Sequence, residues 1–276
     1  MNQIAQRDDN FVGEIVPALW VELQKVRRSK TLWITALGFS LTTFIGGLFM
    51  FILKDPEQAR RLGLLGAKAQ ILGGSADWPS FFSFVALMVS AGGVGVFGVI
   101  FVWLFGREFS DKTIYDFLSL PVSRVTIVAA KIITGAYWSV SLVLLAFVLT
   151  LGIGTILQLP GWSTIIAING FRVLLITGLL TVILCIPFAL VASVTRSYLP
   201  AVGCIFLAVV LGQIVGQLGY GEYFPWSIPA LVSGATETLT GKAAAPLGLA
   251  SYIIVGMVGI ISLLALGAWW RYADQT

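Results

Sequence analysis

Residues 81–105 read FFSFVALMVSAGGVGVFGVIFVWLF, 25 residues without one Asp, Glu, Lys or Arg. A bilayer core about 30 Å thick is crossed by a helix of roughly 20 apolar residues, so this run is long enough to span. Five further segments share its character, at 31–53, 127–157, 172–193, 198–218 and 248–270. As a helix, 31–53 would extend about 34 Å. The run 127–157 is too long for a perpendicular span and is expected to tilt or to pass the membrane surface. Across the chain 58% of residues are hydrophobic and the mean hydropathy is +0.94. Only 11% are charged, against about 25% in a soluble protein. The runs are apolar on every side, which disfavours the alternating strands of a membrane β-barrel. The expected fold is therefore all-α and polytopic, with six transmembrane helices in a single domain over 1–276.

The charges lie between these segments, so the net charge of +4 points to no nucleic acid. Six spans put both termini on one side. That side carries Arg7, Lys25, Arg27, Arg28, Lys30, Arg107, Lys112, Arg124, Lys131, Arg196 and Arg271. The other carries Lys54, Arg60, Arg61, Lys68 and Lys242. With Arg172 set aside, the bias of 11 to 5 predicts cytoplasmic termini. Residues 1–30 are polar, with no short apolar segment before a cleavage site, so the first span is expected to serve as its own targeting signal. A multi-pass protein of a prokaryotic plasma membrane is expected.

Chemistry inside the membrane is sparse. The chain has no histidine, which removes Ser–His and Cys–His pairs, and Cys185 and Cys204 sit in apolar runs as buried thiols. No metal site is expected. The segments hold no Asp, Glu or His away from their ends, which counts against a proton-coupled carrier. Sodium coupling through backbone and hydroxyl oxygens stays open.

Before the first span, Glu14–Ser29 reads as an interfacial helix. Leu19, Leu23 and Val26 recur at helical spacing with Ile15 and Trp20 beside them, while Glu22, Lys25 and Arg28 are expected to face elsewhere. The outer loop 54–80 also has helical character, with Leu62, Leu65, Ala69 and Leu72 among charges.

Between the second and third spans lies Gly106–Arg124, GREFSDKTIYDFLSLPVSR. Gly106, Lys112 and Thr113 imitate a phosphate-binding loop, but Asp111 occupies the glycine position and would repel the anion. Ser110 or Asp111 can instead cap a short helix that Pro121 limits. Ile114, Phe117 and Leu118 form its apolar stripe, suited either to a groove of a partner protein or to the protein's own bundle.

This loop resembles that of type V ABC export permeases, the membrane subunits of ATP-driven exporters. The pattern is Glu108, Thr113, then Phe117-Leu118-Ser119-Leu120-Pro121-Val122-Ser123-Arg124, and Lys131. The likeness extends to the basic amphipathic lead-in, the six spans and the irregular segment between spans five and six. It implies that Glu108, Thr113, Phe117, Leu118, Pro121 and Arg124 form a coupling segment that meets a separate ATPase. Glu108 would be a polar anchor near the end of span two, satisfied by Arg107, Arg124 or the partner. Two permease chains, identical or related, would pair around a path, with two ATPase subunits beneath. ATP and Mg would belong to the ATPase, this chain binding no cofactor and catalysing nothing itself. The substrate would be hydrophobic or amphipathic, such as a drug or peptide antibiotic. The alternatives are a membrane assembly scaffold without a path and an ion-coupled transporter.

In the outer half, 219–247 contains PWSIPALVSG over Pro225–Gly234, whose apolar part Ile228–Val232 is too short to cross. The resemblance implies a re-entrant hairpin with Glu222 or Glu237 at its rim; a surface loop is the other reading. Arg172 and Asn169 are expected either at the headgroups, with span four beginning near Phe171, or on a substrate path. Gly212 and Gly216 form a small-residue pair, with Gln213 and Gln217 beside them, and Ala91 and Gly95 form a second. Both suit close packing within the bundle or between two copies. Trp103, Trp138, Trp226, Trp269 and Trp270 are expected at interfaces or within the bundle.

Overall fold

The computed structural model describes residues 11–55, 75–110, 122–235 and 247–272. Thr113, Phe117, Leu118, Pro121, Glu237 and the centre of the 54–80 loop lie outside the described residues. The protein is an all-α polytopic membrane protein. Among the described residues, six helices are long and apolar enough to cross a membrane.

Helix α1, Phe11–Arg28, turns at Ser29 into α2, Lys30–Lys54. Helices α3, Trp78–Ser110, and α4, Arg124–Ile156, follow. The fourth span is built from α5, Thr164–Ile183, and α6, Ile186–Thr195. Then come α7, Tyr198–Gln217, the short α8, Ile228–Val232, and α9, Leu249–Tyr272.

The starts follow from local chemistry. A helix leaves its first amide groups without intrahelical acceptors, and a short polar side chain can take one. Ser29 Oγ accepts from Thr31 N at 3.0 Å, Ser123 Oγ from Thr126 N at 3.0 Å, and Ser163 Oγ from Ile166 N at 3.2 Å. Ser163 thus starts α5 at Thr164, upstream of Phe171, so Asn169 and Arg172 lie well inside the helix.

Asp77 plays the same part for α3, its Oδ1 accepting from Ser80 N at 2.9 Å and its Oδ2 from Ser75 Oγ at 2.5 Å. Burial opposes the Asp77 charge, but the hydrogen bonds from Ser75 and Ser80 prevail and hold its pKa below the ordinary value. A lowered carboxylate pKa stabilises the fold fully above the unfolded value near 4. That contribution is lost as pH falls through the lowered folded value. Asp77→Ala is expected to lose about 1 kcal/mol at neutral pH. Melting curves in detergent should show the gap from wild type closing on acidification; a gap that persists at low pH would refute the ionised cap.

Helix α3 is the centre of the bundle and packs against α2, α4, α5, α6 and α7. Phe81, Val85, Phe97, Ile100, Phe101 and Phe105 are fully enclosed along it. The outer helices expose long apolar faces, including Trp33, Leu37 and Leu41 on α2, and Ile253, Met257 and Leu264 on α9. Such faces have no place in water and fit a hydrocarbon surround.

The break between α5 and α6 has a chemical cause. Pro187 has no N–H to give to the preceding turn, and Phe188 N turns to Cys185 O at 3.1 Å. Leu184 O is left over, and Trp226 Nε1 donates to it at 3.2 Å. Two 3-10 turns, Gly221–Tyr223 and Pro225–Ser227, lead into α8. Ser227 Oγ donates to Gly212 O at 2.7 Å and Ser251 Oγ to Glu222 O at 2.9 Å. The segment is therefore tied to α7, α9 and the break, with Ile228 enclosed beneath it.

Candidate functional site

Four ionisable side chains converge where α1 crosses the ends of α3 and α4. Glu22 and Lys25 come from α1, Glu108 from the last turn of α3, and Lys131 from α4. Glu22 and Glu108 are each 2% exposed and Lys131 is 0% exposed. Lys131 Nζ donates to Glu108 Oε1 at 2.6 Å, to Leu104 O at 2.8 Å, and to both oxygens of Glu22 at 3.3 and 3.4 Å. Lys25 Nζ donates to Glu22 Oε1 at 2.8 Å and to Glu108 Oε1 at 3.2 Å.

The group contains two ammonium and two carboxylate groups, so its formal charge is zero. Neutrality is what makes its burial tolerable, since an unpaired charge there would be far more costly than the pair. One atom is left out: Glu108 Oε2 is buried without a hydrogen-bond partner.

A second tie lies beside it. Glu14 accepts from Ser123 N at 3.1 Å and from Thr126 Oγ1 at 3.5 Å, at the start of α4. Helix α1 is thus bonded to the last turn of α3 and the first turns of α4, on both sides of residues 111–121.

Two expectations are corrected here. Glu22 does not face away from the bundle but is buried, because Lys131 is there to receive it. Glu108 is held by Lys131 and Lys25, while Arg124 Nη1 donates to Trp270 O at 3.3 Å. On α1, Val26 is buried, Leu19 and Leu23 are half-buried, and Trp20 is 62% exposed.

Lys131 belongs to the loop pattern, but its pairing with Glu22 is not among the sequence expectations, although the sequence carries signals for it. Leu19, Glu22 and Val26 follow an i, i+3, i+7 spacing, which puts Glu22 at the flank of the apolar stripe. Lys131 lies seven residues into α4, about 10 Å along it. A cation that deep in an apolar helix calls for a partner.

A second concavity, of about 350 Å³, lies between α3, α7 and the 225–231 segment. Ala91, Gly212 and Gly216 line it together with Gln213, Gln217 and Ser90. Gly212 leaves room for the chain itself: a methyl there would lie 3.3 Å from Trp226 O. The pair therefore packs against a segment of the same chain. A methyl at Gly95 would meet nothing within 4 Å, so that glycine makes no close approach among the described residues of this chain. Asn169 and Arg172 are exposed on α5, and Asn169 borders a separate recess with Phe82 and Gly170. Glu222 is half-buried, and its backbone oxygen is the one bound by Ser251.

Trp138 and Trp270 fill the bundle, with Trp270 Nε1 donating to Ser193 Oγ at 3.1 Å. Among the described residues, no three His, Cys, Asp or Glu side chains are grouped to hold a metal ion.

Residues 18–213 match the family model described as ABC-2 family transporter protein. Over 144 residues the chain is 31% identical to the bacitracin transport permease protein BCRB of Bacillus licheniformis, covering 52% of this chain and 69% of that protein.

Proposed function

The chain belongs to the ABC-2 family of transporter permeases, and on that premise we propose that it is the membrane subunit of an ATP-driven exporter. Its ATP and Mg chemistry resides in a separate ATPase subunit, and two permease chains pair around the path. Both termini and α1 face the cytoplasm of a bacterial plasma membrane, in keeping with the basic bias of that side.

One observation carries the reading. The two ends of the 111–121 segment, Glu108 before it and Ser123 with Thr126 after it, are both bonded to α1. A push on 111–121 by an ATPase subunit is then delivered to α1, α3 and α4 as one body. Thr113, Phe117, Leu118 and Pro121 form the docking segment, and Arg124 braces its return through Trp270. Glu14, Leu19, Leu23 and Val26 seat α1 at the membrane surface.

The cavity beside Gly212 and Gly216 is a candidate stretch of the path. Its amide and hydroxyl groups in apolar walls suit an amphipathic molecule. The relative named for bacitracin transport supports a peptide antibiotic as the substrate class. The outer hairpin that the family resemblance implies for 219–247, with Glu222 and Glu237 at its rim, belongs to this reading, and Asn169 and Arg172, exposed on α5, are candidates for the outer part of the path.

Phe117→Asp with Leu118→Asp tests the docking segment. An apolar anchor at the centre of an interface contributes about 2 kcal/mol or more, so association with the ATPase should weaken roughly thirtyfold. Pull-down of the ATPase and its permease-dependent turnover are the measurements, with membrane insertion unchanged. Retention of both in the double variant would refute the assignment.

A further inference from the structure

On α7 the residues that line the cavity are Val209, Gly212, Gln213, Gly216 and Gln217, the i, i+3, i+4, i+7, i+8 series of one helix face. Elsewhere α7 exposes apolar side chains, among them Phe206, Leu207, Leu211 and Ile214. Gln213 and Gln217 are exposed too, and among the described residues neither side-chain amide has a hydrogen-bond partner. An amide left unpaired in hydrocarbon is costly, so these two call for a polar occupant.

The other polar side chains of the cavity are already committed as donors. Ser90 Oγ donates to Leu87 O at 2.7 Å, Ser227 Oγ to Gly212 O at 2.7 Å, and Trp226 Nε1 to Leu184 O at 3.2 Å. Among the described lining residues, the side-chain donors left for a ligand are thus the two glutamine amides, each with its own acceptor oxygen. A peptide residue presents the same pairing of one N–H and one C=O. The spacing agrees as well. Residues i and i+4 of a helix are about 6 Å apart along its axis. In an extended peptide, backbone groups pointing to one side recur every second residue, at roughly 6.6 Å. Size then selects a chain over a helix. A hollow of about 350 Å³ is roughly 7 Å across if compact, too narrow for a helix about 10–12 Å wide. Extended chains need only about 4.8 Å between neighbours.

We propose that Gln213 and Gln217 form a hydrogen-bonding ladder that holds alternate residues of a peptide substrate in an extended conformation. The peptide's side chains lie against the apolar wall of Leu87, Val94 and Leu231. Such a ladder reads the backbone and not the side chains, so apolar peptides of different sequence share the site. The inference rests on the reading of this cavity as part of the transport path, and it names the residues that set its specificity.

The test uses the full chain in lipid nanodiscs, with empty discs as background. The probe is a radiolabelled hexapeptide of alternating leucine and alanine, acetylated and amidated at its ends. A twin with every internal backbone nitrogen methylated keeps the side chains and loses the N–H groups. The parent peptide should bind above background and the methylated twin roughly tenfold more weakly, as for the loss of more than one hydrogen bond. Gln213→Leu and Gln217→Leu should each weaken the parent roughly fivefold. Both positions are exposed, so leucine there leaves the bundle folded. Leu211→Ala, on the same helix but outside the cavity, should change nothing. Equal binding of the two peptides, no binding above background, or unaltered binding by both leucine variants would overturn the proposal. Leucine variants that keep the peptide but lose a cross-linked dimer would overturn it too, and assign the amides to a second copy. Pull-down of the ATPase tests the exporter reading separately: an ATPase retained while the peptide is not bound sinks the ladder alone.

Discussion

Lys131→Met is expected to destabilise the protein by about 3–5 kcal/mol, the range seen when one member of a buried ion group is removed. Methionine fills much of the same space, so the loss is electrostatic. Among the described residues, Glu22 and Glu108 would remain buried with Lys25 alone to share, and the Lys25 side chain is partly exposed. Leu104 O would lose its ammonium donor as well. Denaturant unfolding in detergent micelles would measure the effect. Adding Glu108→Gln should recover a large part of it, because Glu22 and Lys25 then form a neutral pair. A single variant within about 1 kcal/mol of wild type, a typical effect for an ordinary substitution, would refute the balance of charges described above. If the chain works in the proposed exporter, the same change should also lower permease-dependent ATPase turnover, since α1 would no longer be held to α3 and α4 through this group.

Gly170→Leu is expected to be the next most damaging change, at about 3 kcal/mol, near the top of the range for overfilling a packed core. Helix α5 lies against α3 with Gly170 facing the Phe82 ring, and a methyl at this glycine would come within 2.4 Å of it. The ring cannot retreat easily. Phe82 is 3% exposed and stands between Trp78, at 5.7 Å between centroids, and Phe147, at 6.0 Å. Leucine therefore has to separate α5 from α3. Loss of monodisperse protein on size exclusion, with a lowered melting temperature, is the expected result. Phe82→Leu in the same chain should relieve part of the strain, so that the two changes together cost less than their sum. Full stability of the single variant would show that α5 and α3 can part here freely.

Much of this architecture could be read from residue order. Runs such as 81–105 are apolar on every side, and a helix in lipid needs no polar face, so six spans follow from composition alone. Helix ends were less legible. Ser163 starts α5 well ahead of the apolar run, and Asp77 starts α3 at Trp78, because capping depends on single hydroxyl or carboxylate groups and not on hydropathy. The break at Leu184–Cys185 was hidden too: Pro187 hints at it, but its acceptor is satisfied by Trp226, 42 residues away. For the charged site, Glu108 stood out through its place in the loop pattern. Lys131 belongs to the same pattern, but its pairing with Glu22 was hidden, since it requires knowing that α1 lies across α4. Spacing along one helix says which residues share a face, but not which neighbour covers it.

The bond between Glu22 and Lys131 joins residues 109 positions apart. During synthesis α1 leaves the ribosome long before the third span exists. Until residue 131 has been made and inserted, Glu22 has no buried ammonium to meet and belongs in water. Helix α1, translated before the helices it crosses, is thus among the later parts to find its resting place. Shortening the nascent chain ahead of Lys131 should leave it open to protease, and release of the third span into the bilayer should close it.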